Sequence, residues 1–184
     1  MTGTGEAKLA ELILYVAAKT RSDGRRGAVK LNKYLYFAEF SAVRRLGHPI
    51  TGVEYQKLTY GPAPRRLLPV RGALVAQGAA RMEDWSDAFG YQHSELIPLR
   101  DADLSAFSPD ELRIIDEVIA ELLPLTGAQV TELSHREAGW MMVAAGDTIP
   151  YELAIVAPPE EIEVTEAISS RGTELVEQYA DRIA

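Results

Sequence analysis

The sequence predicts a mainly helical α+β domain with a small antiparallel β-sheet or hairpin and a C-terminal helix. Apolar residues recur at helical spacing through much of the chain, as at Leu31, Tyr34, Leu35 and Ala38. Short runs rich in β-branched and aromatic residues, such as residues 53–60, interrupt that pattern. In the second half, capping residues mark helix starts in close succession. These three observations favour helices packed around a few strands.

The N-terminal segment predicts an amphipathic first helix. Residues 1–5 are expected to form a loose tail, because two of the five are glycines. The residues that follow carry an apolar face at helical spacing, and a turn of sequence Ser-Asp-Gly at residues 22–24 ends the helix. The apolar face consists of Leu9, Leu12, Ile13, Val16 and Ala17.

The second helix is expected to lie at the centre of the fold. Beside the stripe that begins at Leu31 it carries a second apolar stripe, so both faces need to be covered. The second stripe consists of Phe37, Phe40 and Val43. Gly47 suits a left-handed helix cap, and Pro49 prevents the helix from resuming.

A strand and a third helix are predicted next. Residues 53–60 favour a short strand. The Gly-Pro-Ala-Pro run at residues 61–64 is typical of a helix start, because proline fits the first turn. We expect this helix to continue to Gln77 with a kink or break near Arg66 caused by Pro69, and Gly61 to provide backbone freedom at the turn.

Residues 81–85 and 91–97 are predicted to form a hairpin. A lone hairpin is marginally stable in water. We therefore expect it to pair with residues 53–59 in one three-stranded antiparallel sheet.

Three helix starts of one kind follow. In each, a serine or threonine can cap an exposed backbone N–H while a glutamate or glutamine three residues later bonds back. The pairs are Ser108 with Glu111, Thr126 with Gln129, and Ser134 with Glu137. Residues 151–156 are expected to form a brief strand.

Two consecutive prolines at positions 158 and 159 mark a boundary. We expect one domain over residues 1–157 and a helical extension over residues 158–184. In that extension Ile168, Leu175 and Tyr179 share an apolar face.

Composition limits the classes of protein. With 184 residues, 47% of them hydrophobic, the chain suits one compact domain with a terminal extension. It has no cysteine, no apolar run long enough to span a bilayer and no signal-peptide pattern, so the cytoplasm is expected and a membrane partner is not. The net charge of -8 makes nucleic acid an unfavourable partner.

No catalytic or cofactor motif is found in the sequence. The three histidines, at positions 48, 93 and 135, have no second metal ligand at helical spacing, so neither metal nor cofactor is expected. His135 is expected to play a structural part near Trp140. Ser134 precedes it without a nucleophile-elbow motif and suits an N-cap better. We expect a protein that is not an enzyme.

One group of residues combines aromatic, basic and rigid side chains around the strand-to-helix turn. It consists of Tyr55, Lys57, Tyr60, Pro62, Arg65 and Arg66. Tyrosine and arginine are enriched at interface hot spots, so one interpretation is a partner-binding ridge. The other is structural: the geometry of the turn requires these residues, and Tyr60 packs inward.

Charge is distributed unevenly along the chain, with basic residues concentrated in the first half and acidic clusters in the second. One acidic cluster consists of Glu160, Glu161, Glu163 and Glu166. Solvated helix faces and the helix dipole explain such clusters. Alternatively, the two charged regions steer a charged protein partner. In that interpretation Glu160, Glu161 and Glu163 contact the partner, and the apolar face with Tyr179 docks on the domain or on the partner.

Three sequence blocks resemble the Panacea domain family, also described as SocA-like or phage-associated GepA-like. They are KLNKYLYFAEF from residue 30, GHPITGVEYQKLTYGPAPRRL from residue 47, and LSHREAGW from residue 133. The resemblance extends over roughly Leu9 to Ile155, and residues after Ala157 have no clear counterpart. Its most specific parts are the Tyr60-Gly61-Pro62 turn and the block that ends at Trp140.

The resemblance implies an antitoxin that neutralises a co-encoded toxin, often a translation inhibitor, by direct protein contact. One branch of the family implies an adaptor that delivers a toxin to a ClpXP-type protease. A DNA-binding autoregulator is a third alternative, but the basic second helix is too apolar for a recognition helix. The oligomeric state stays open, a homo-oligomer included.

Overall fold

The computed structural model describes residues 4–23, 28–86, 90 and 92–156. Within them, helices predominate over two small antiparallel sheets, which confirms the predicted mainly helical α+β class. The helices are α1 (Thr4–Lys19), α2 (Ala28–Leu46), α3 (Leu67–Ala76), α4 (Pro109–Leu122), α5 (Gly127–Arg136) and α6 (Ala138–Met141). The strands are β1 (Tyr55–Leu58), β2 (Gly61–Pro64), β3 (Ala80–Ser86), β4 (Gln92–Pro98) and β5 (Thr148–Ile149). Two 3-10 helices span Leu104–Ala106 and Tyr151–Ile155.

Helix α2 is the centre of the fold, as its two apolar stripes predict. It packs against α1, α4, α5, β2, β4 and the second 3-10 helix. Tyr36 and Phe40 are buried in an aromatic cluster with Tyr55, in which ring centroids lie 4.2 to 5.8 Å apart. A helix enclosed in this way has no free face for a DNA groove. Gly47 ends it with φ of 80°, as predicted.

The predicted helix start at residue 61 is wrong, because Gly61–Pro64 forms strand β2. It pairs antiparallel with β1, Lys57 opposite Pro62 and Tyr55 opposite Pro64. Strand β2 is at the edge of the sheet ordered β2-β1-β5, where a proline without an N–H is tolerated. All four of its residues are buried against α2.

Helix α3 begins only at Leu67, five residues later than predicted. Pro69 is then its third residue, where the backbone N–H has no partner within the helix. No kink at Pro69 is therefore required within α3, and the break predicted near Arg66 coincides with the start of the helix.

The hairpin β3–β4 exists, but the predicted three-stranded sheet with residues 53–59 is wrong. Its register joins Ala80 to Pro98 and Ser86 to Gln92. Both edges of β1 are already occupied, one by β2 and the other by β5. The hairpin instead packs against helices, β4 on α1 and α2, and β3 on α3.

Two of the three predicted capping boxes are confirmed. Ser108 caps α4 and Thr126 caps α5, each with the reciprocal side-chain bond three residues on. The third is wrong: Ser134 lies inside α5, fully buried, and its hydroxyl donates to the Thr131 carbonyl at 2.8 Å. The short α6 starts after Glu137 instead.

The two ends of the predicted domain also differ from expectation. Helix α1 begins at Thr4, so residues 4–5 are helical and not part of a loose tail. Residues 151–155 form a 3-10 helix, and the strand of this region is Thr148–Ile149, which pairs with β1. The predicted extension, residues 158–184, lies outside the described residues. No described helix combines the length and the apolar character needed to cross a membrane.

Candidate functional site

The β1–β2 turn places two large side chains in solvent. Tyr60 is 70% exposed and Leu58 is 41% exposed, although the strands on either side pack into the domain. Gly61 has φ of 101°, a conformation that favours glycine and fits the backbone freedom predicted for the turn. The turn therefore projects an aromatic and an aliphatic side chain from a fixed backbone.

The α5–α6 junction supplies the other half of the site. The rings of His135 and Trp140 stack with centroids 3.7 Å apart and an interplanar angle of 10°. The Trp140 indole N–H donates to the Leu58 carbonyl at 3.3 Å, which joins this junction to the β1–β2 turn. Lys57 places its ammonium 4.1 Å from the Trp140 ring centroid and donates to the Val143 carbonyl at 2.8 Å.

We call this region the Trp140 surface. It consists of Lys57, Leu58, Tyr60, His135, Trp140 and Met142. Met142 adjoins Val143 in sequence and is 58% exposed. A cation over an indole ring and two stacked rings restrict the side chains involved, so the surface is preorganised.

Lys33 supports the turn from the core side. The residue is 1% exposed, and its ammonium donates to the Tyr60 backbone carbonyl. A Cβ atom on Gly61 would lie 2.6 Å from both Lys33 Cε and Ser134 Oγ, so only glycine fits between α2 and α5 here. Burial lowers the pKa of Lys33 from 10.5 to about 8.

The electrostatics of the site are one-sided. Burial lowers the pKa of His135, and the nearby cations Lys33 and Lys57 lower it further. His135 Nε2 is buried and has no hydrogen-bond partner among the residues that the structure describes. No described carboxylate lies within ion-pair distance of Lys33 or Lys57. The two lysines therefore give this region a positive potential.

The site is not arranged for nucleophilic or metal chemistry. The Ser134 hydroxyl is buried and donates to a backbone carbonyl of its own helix. In the part of the chain that the structure describes, no three histidine, aspartate or glutamate side chains come together as metal ligands. An exposed aromatic and apolar surface with a basic centre is better suited to binding than to catalysis.

Comparison with protein families finds one match, to the family described as antitoxin SocA-like, Panacea domain, over residues 31–141. The chain belongs to this family. The match includes every residue of the Trp140 surface except Met142 and lies inside the predicted range of the resemblance, Leu9 to Ile155. Comparison with curated proteins and with solved structures finds no match.

In this SocA-like domain, the residues of the predicted ridge lie in separate regions. Lys57 and Tyr60 belong to the Trp140 surface. Tyr55 does not, because it is 0% exposed and packs on Phe40 and Tyr36 in the core. The prediction that Tyr55 contacts a partner needs correction, since a residue enclosed on every side presents no atoms to one.

Arg65 and Arg66 follow the opposite end of the hairpin, about 10 Å from the turn at about 3.3 Å per strand residue. Arg65 donates to the Gly146 carbonyl at 2.8 Å and to the Gln56 side chain at 3.1 Å. Arg66 pairs with Glu6 at 2.7 Å, at the rim of a cleft of about 240 Å³ between α1 and α3. Both guanidinium groups thus hold elements of the SocA-like domain together.

The remaining predicted contact residues are Glu160, Glu161, Glu163 and Tyr179, which lie outside the described residues. Sequence reasoning missed Lys33, assigned His135 a structural part and gave Trp140 no role. Trp140 stands in the sequence block most specific to the family, which was the available signal. Its contact with Leu58 spans 82 residues, and no local pattern encodes that.

Proposed function

We propose that this SocA-like protein is an antitoxin that neutralises a translation-inhibiting protein toxin by direct contact, and that the Trp140 surface is part of the interface. The family match supports the general role. The observation that supports the location is the exposure of Tyr60 and Leu58 on a turn that the Trp140 indole fixes through the Leu58 carbonyl. Exposed apolar clusters of this kind mark interaction sites in soluble proteins.

The side chains are of the types that dominate binding energy. Tyrosine and tryptophan are enriched at hot spots, because they bury a large area and lose little conformational entropy on binding. Lys33 holds the Tyr60 backbone, and Leu58 holds the Trp140 indole, so less entropy is lost when a partner binds. The proposal assigns the protein no catalytic step.

Co-expression with the product of the neighbouring reading frame tests the role. Wild-type protein should restore the growth of cells that express a toxic neighbour. Tyr60→Ala should weaken this rescue, whereas Leu68→Ala should not, because Leu68 is equally exposed, at 71%, but lies on α3. A non-toxic neighbour would remove support for the role, and full rescue by Tyr60→Ala would remove support for the location.

A purified translation reaction separates the two modes of neutralisation. It contains the toxin and the antitoxin but no ClpXP-type protease. Direct inhibition predicts that adding the antitoxin restores protein synthesis. Rescue that occurs only in cells that contain the protease would instead favour delivery of the toxin for degradation.

A further inference from the structure

The uncompensated positive charge of the Trp140 surface indicates what its partner carries. The chain as a whole has a net charge of -8, and other described lysines in partly or fully buried positions meet carboxylates. Lys8 pairs with Glu111 at 2.8 Å, and Lys30 pairs with Asp23. Lys33 and Lys57 instead donate to backbone carbonyls.

Removing a cation from water costs free energy that a backbone carbonyl offsets only in part. An acidic group from a binding partner would supply the missing counter-charge. The Lys57 ammonium offers an incoming oxygen ligand both positive charge and a hydrogen-bond donor, and Lys33 adds positive potential from the core side.

The Lys57 ammonium is partly buried rather than open to water on all sides. The face of the Trp140 ring lies 4.1 Å from it, and Tyr60 extends from the nearby β1–β2 turn. A carboxylate that binds beside these side chains would lose water, which strengthens its attraction to a cation. A partner with an acidic and an apolar side chain close together fits both properties.

We propose that the Trp140 surface binds an acidic segment of the toxin, with one carboxylate against Lys57 and a neighbouring apolar side chain against Trp140 and Tyr60. This inference rests on the proposed antitoxin function. Lys33 acts as a positioning residue, because it holds the Tyr60 backbone and adds positive potential without reaching the surface.

A nucleic acid is a poorer occupant of the same surface. Its affinity depends on several phosphate contacts along a basic track, whereas this cluster is compact and the chain carries a net charge of -8. A carboxylate needs only one or two cations in a partly dehydrated setting. A competition experiment with single-stranded RNA distinguishes the two occupants.

The test measures binding of the purified toxin, the product of the neighbouring frame, to charge variants at several salt concentrations. Lys57→Glu should weaken binding roughly tenfold or more, and Lys57→Met should weaken it less, because only the former repels a carboxylate. Both variants should flatten the salt dependence. Lys19→Met is the matched control, because Lys19 also lies over an aromatic ring, Tyr15, with 5.2 Å between its ammonium and the ring centroid.

A charge exchange completes the test. One substitution of aspartate or glutamate by lysine in the toxin should restore its binding to Lys57→Glu, and thermal melting should show that all variants are folded. Wild-type affinity in Lys57→Glu, the lack of any restoring substitution, or displacement of the toxin by single-stranded RNA would each overturn the inference. In each of these outcomes the toxin still binds the wild-type protein, so only the inference about the acidic segment fails. If the antitoxin proposal itself is wrong, the wild-type protein does not bind the toxin at all.

Discussion

Lys33 and Tyr60 are joined through the buried ammonium of one and the backbone carbonyl of the other. Lys33 belongs to the central helix α2, and Tyr60 to the exposed β1–β2 turn. The contact connects the most enclosed helix of the domain to the most exposed aromatic side chain of the Trp140 surface. The shape of that surface therefore depends on a lysine that a partner does not touch.

Gly61→Ala should destabilise the domain more than Gly47→Ala. Both glycines have a positive φ, which costs alanine about 1 kcal/mol or more. Only at Gly61 would the new Cβ meet Lys33 and Ser134, because Gly47 has open space. We expect about 1 kcal/mol of additional loss from the disturbed Lys33 bond. Urea unfolding of both variants measures it, and equal losses would contradict the close packing at Gly61.

Lys33→Met should remove a pH-dependent part of the stability. The pKa of Lys33 is 10.5 in a model peptide and about 8 in the fold, so the unfolded chain binds more protons between these values. The contribution of Lys33 to stability therefore rises as the pH increases from 8 to 10.5. At about 1.4 kcal/mol per pKa unit, the rise is on the order of 3 kcal/mol. Unfolding of the wild type and the variant across this pH range measures the rise. Parallel pH profiles would show that the fold does not lower the pKa of Lys33.

Glu39→Gln should change stability in the opposite pH direction. Glu39 is fully buried and accepts from the Ile50 N–H at 2.7 Å and the Thr51 N–H at 3.0 Å. Burial raises its pKa from 4.5 to about 7 against these bonds. The folded state thus binds the proton more tightly, so the contribution of Glu39 is fully present below pH 4.5 and is lost as the pH rises through 7.

The glutamine variant keeps an acceptor for both N–H groups but does not titrate. Thermal melting of both proteins between pH 4.5 and 8 should show a difference that grows with decreasing pH in favour of the wild type. A constant difference would mean that Glu39 is ionised throughout this range in the folded protein.

Local patterns predicted those parts of the fold that depend on neighbouring residues. The capping boxes at Ser108 and Thr126, the central position of α2 and the backbone freedom needed at Gly61 all follow from residues close in sequence. The same capping pattern failed at Ser134. There the serine lies inside α5, where its Oγ would be 2.6 Å from a Cβ on Gly61, and no local pattern contains that contact.

The candidate site was only partly predictable for a related reason. Pro62 and Pro64 suit a helix start and an edge strand equally well, and pairing with β1 decides between them. This difference decides where Arg65 lies relative to Tyr60. A helix would place the two residues about one turn apart, whereas the hairpin places them at opposite ends of β2. Trp140 joined the site through a hydrogen bond to Leu58, 82 residues away.

Deletion of residues 158–184 should leave a folded domain but weaken toxin neutralisation. The buried core of the described residues is formed between Leu9 and Ala154, and the deletion removes none of these residues. The deleted segment carries Glu160, Glu161 and Glu163, and a toxin that binds tRNA or nucleotides has a basic groove that these could cover. We expect slower association and a weaker salt dependence of binding.

Replacing the three glutamates by glutamine should reproduce both effects, whereas Tyr179→Ala should increase the dissociation rate only. An unchanged melting temperature with full rescue and unchanged salt dependence would exclude the segment from the interface and leave the Trp140 surface as its main part.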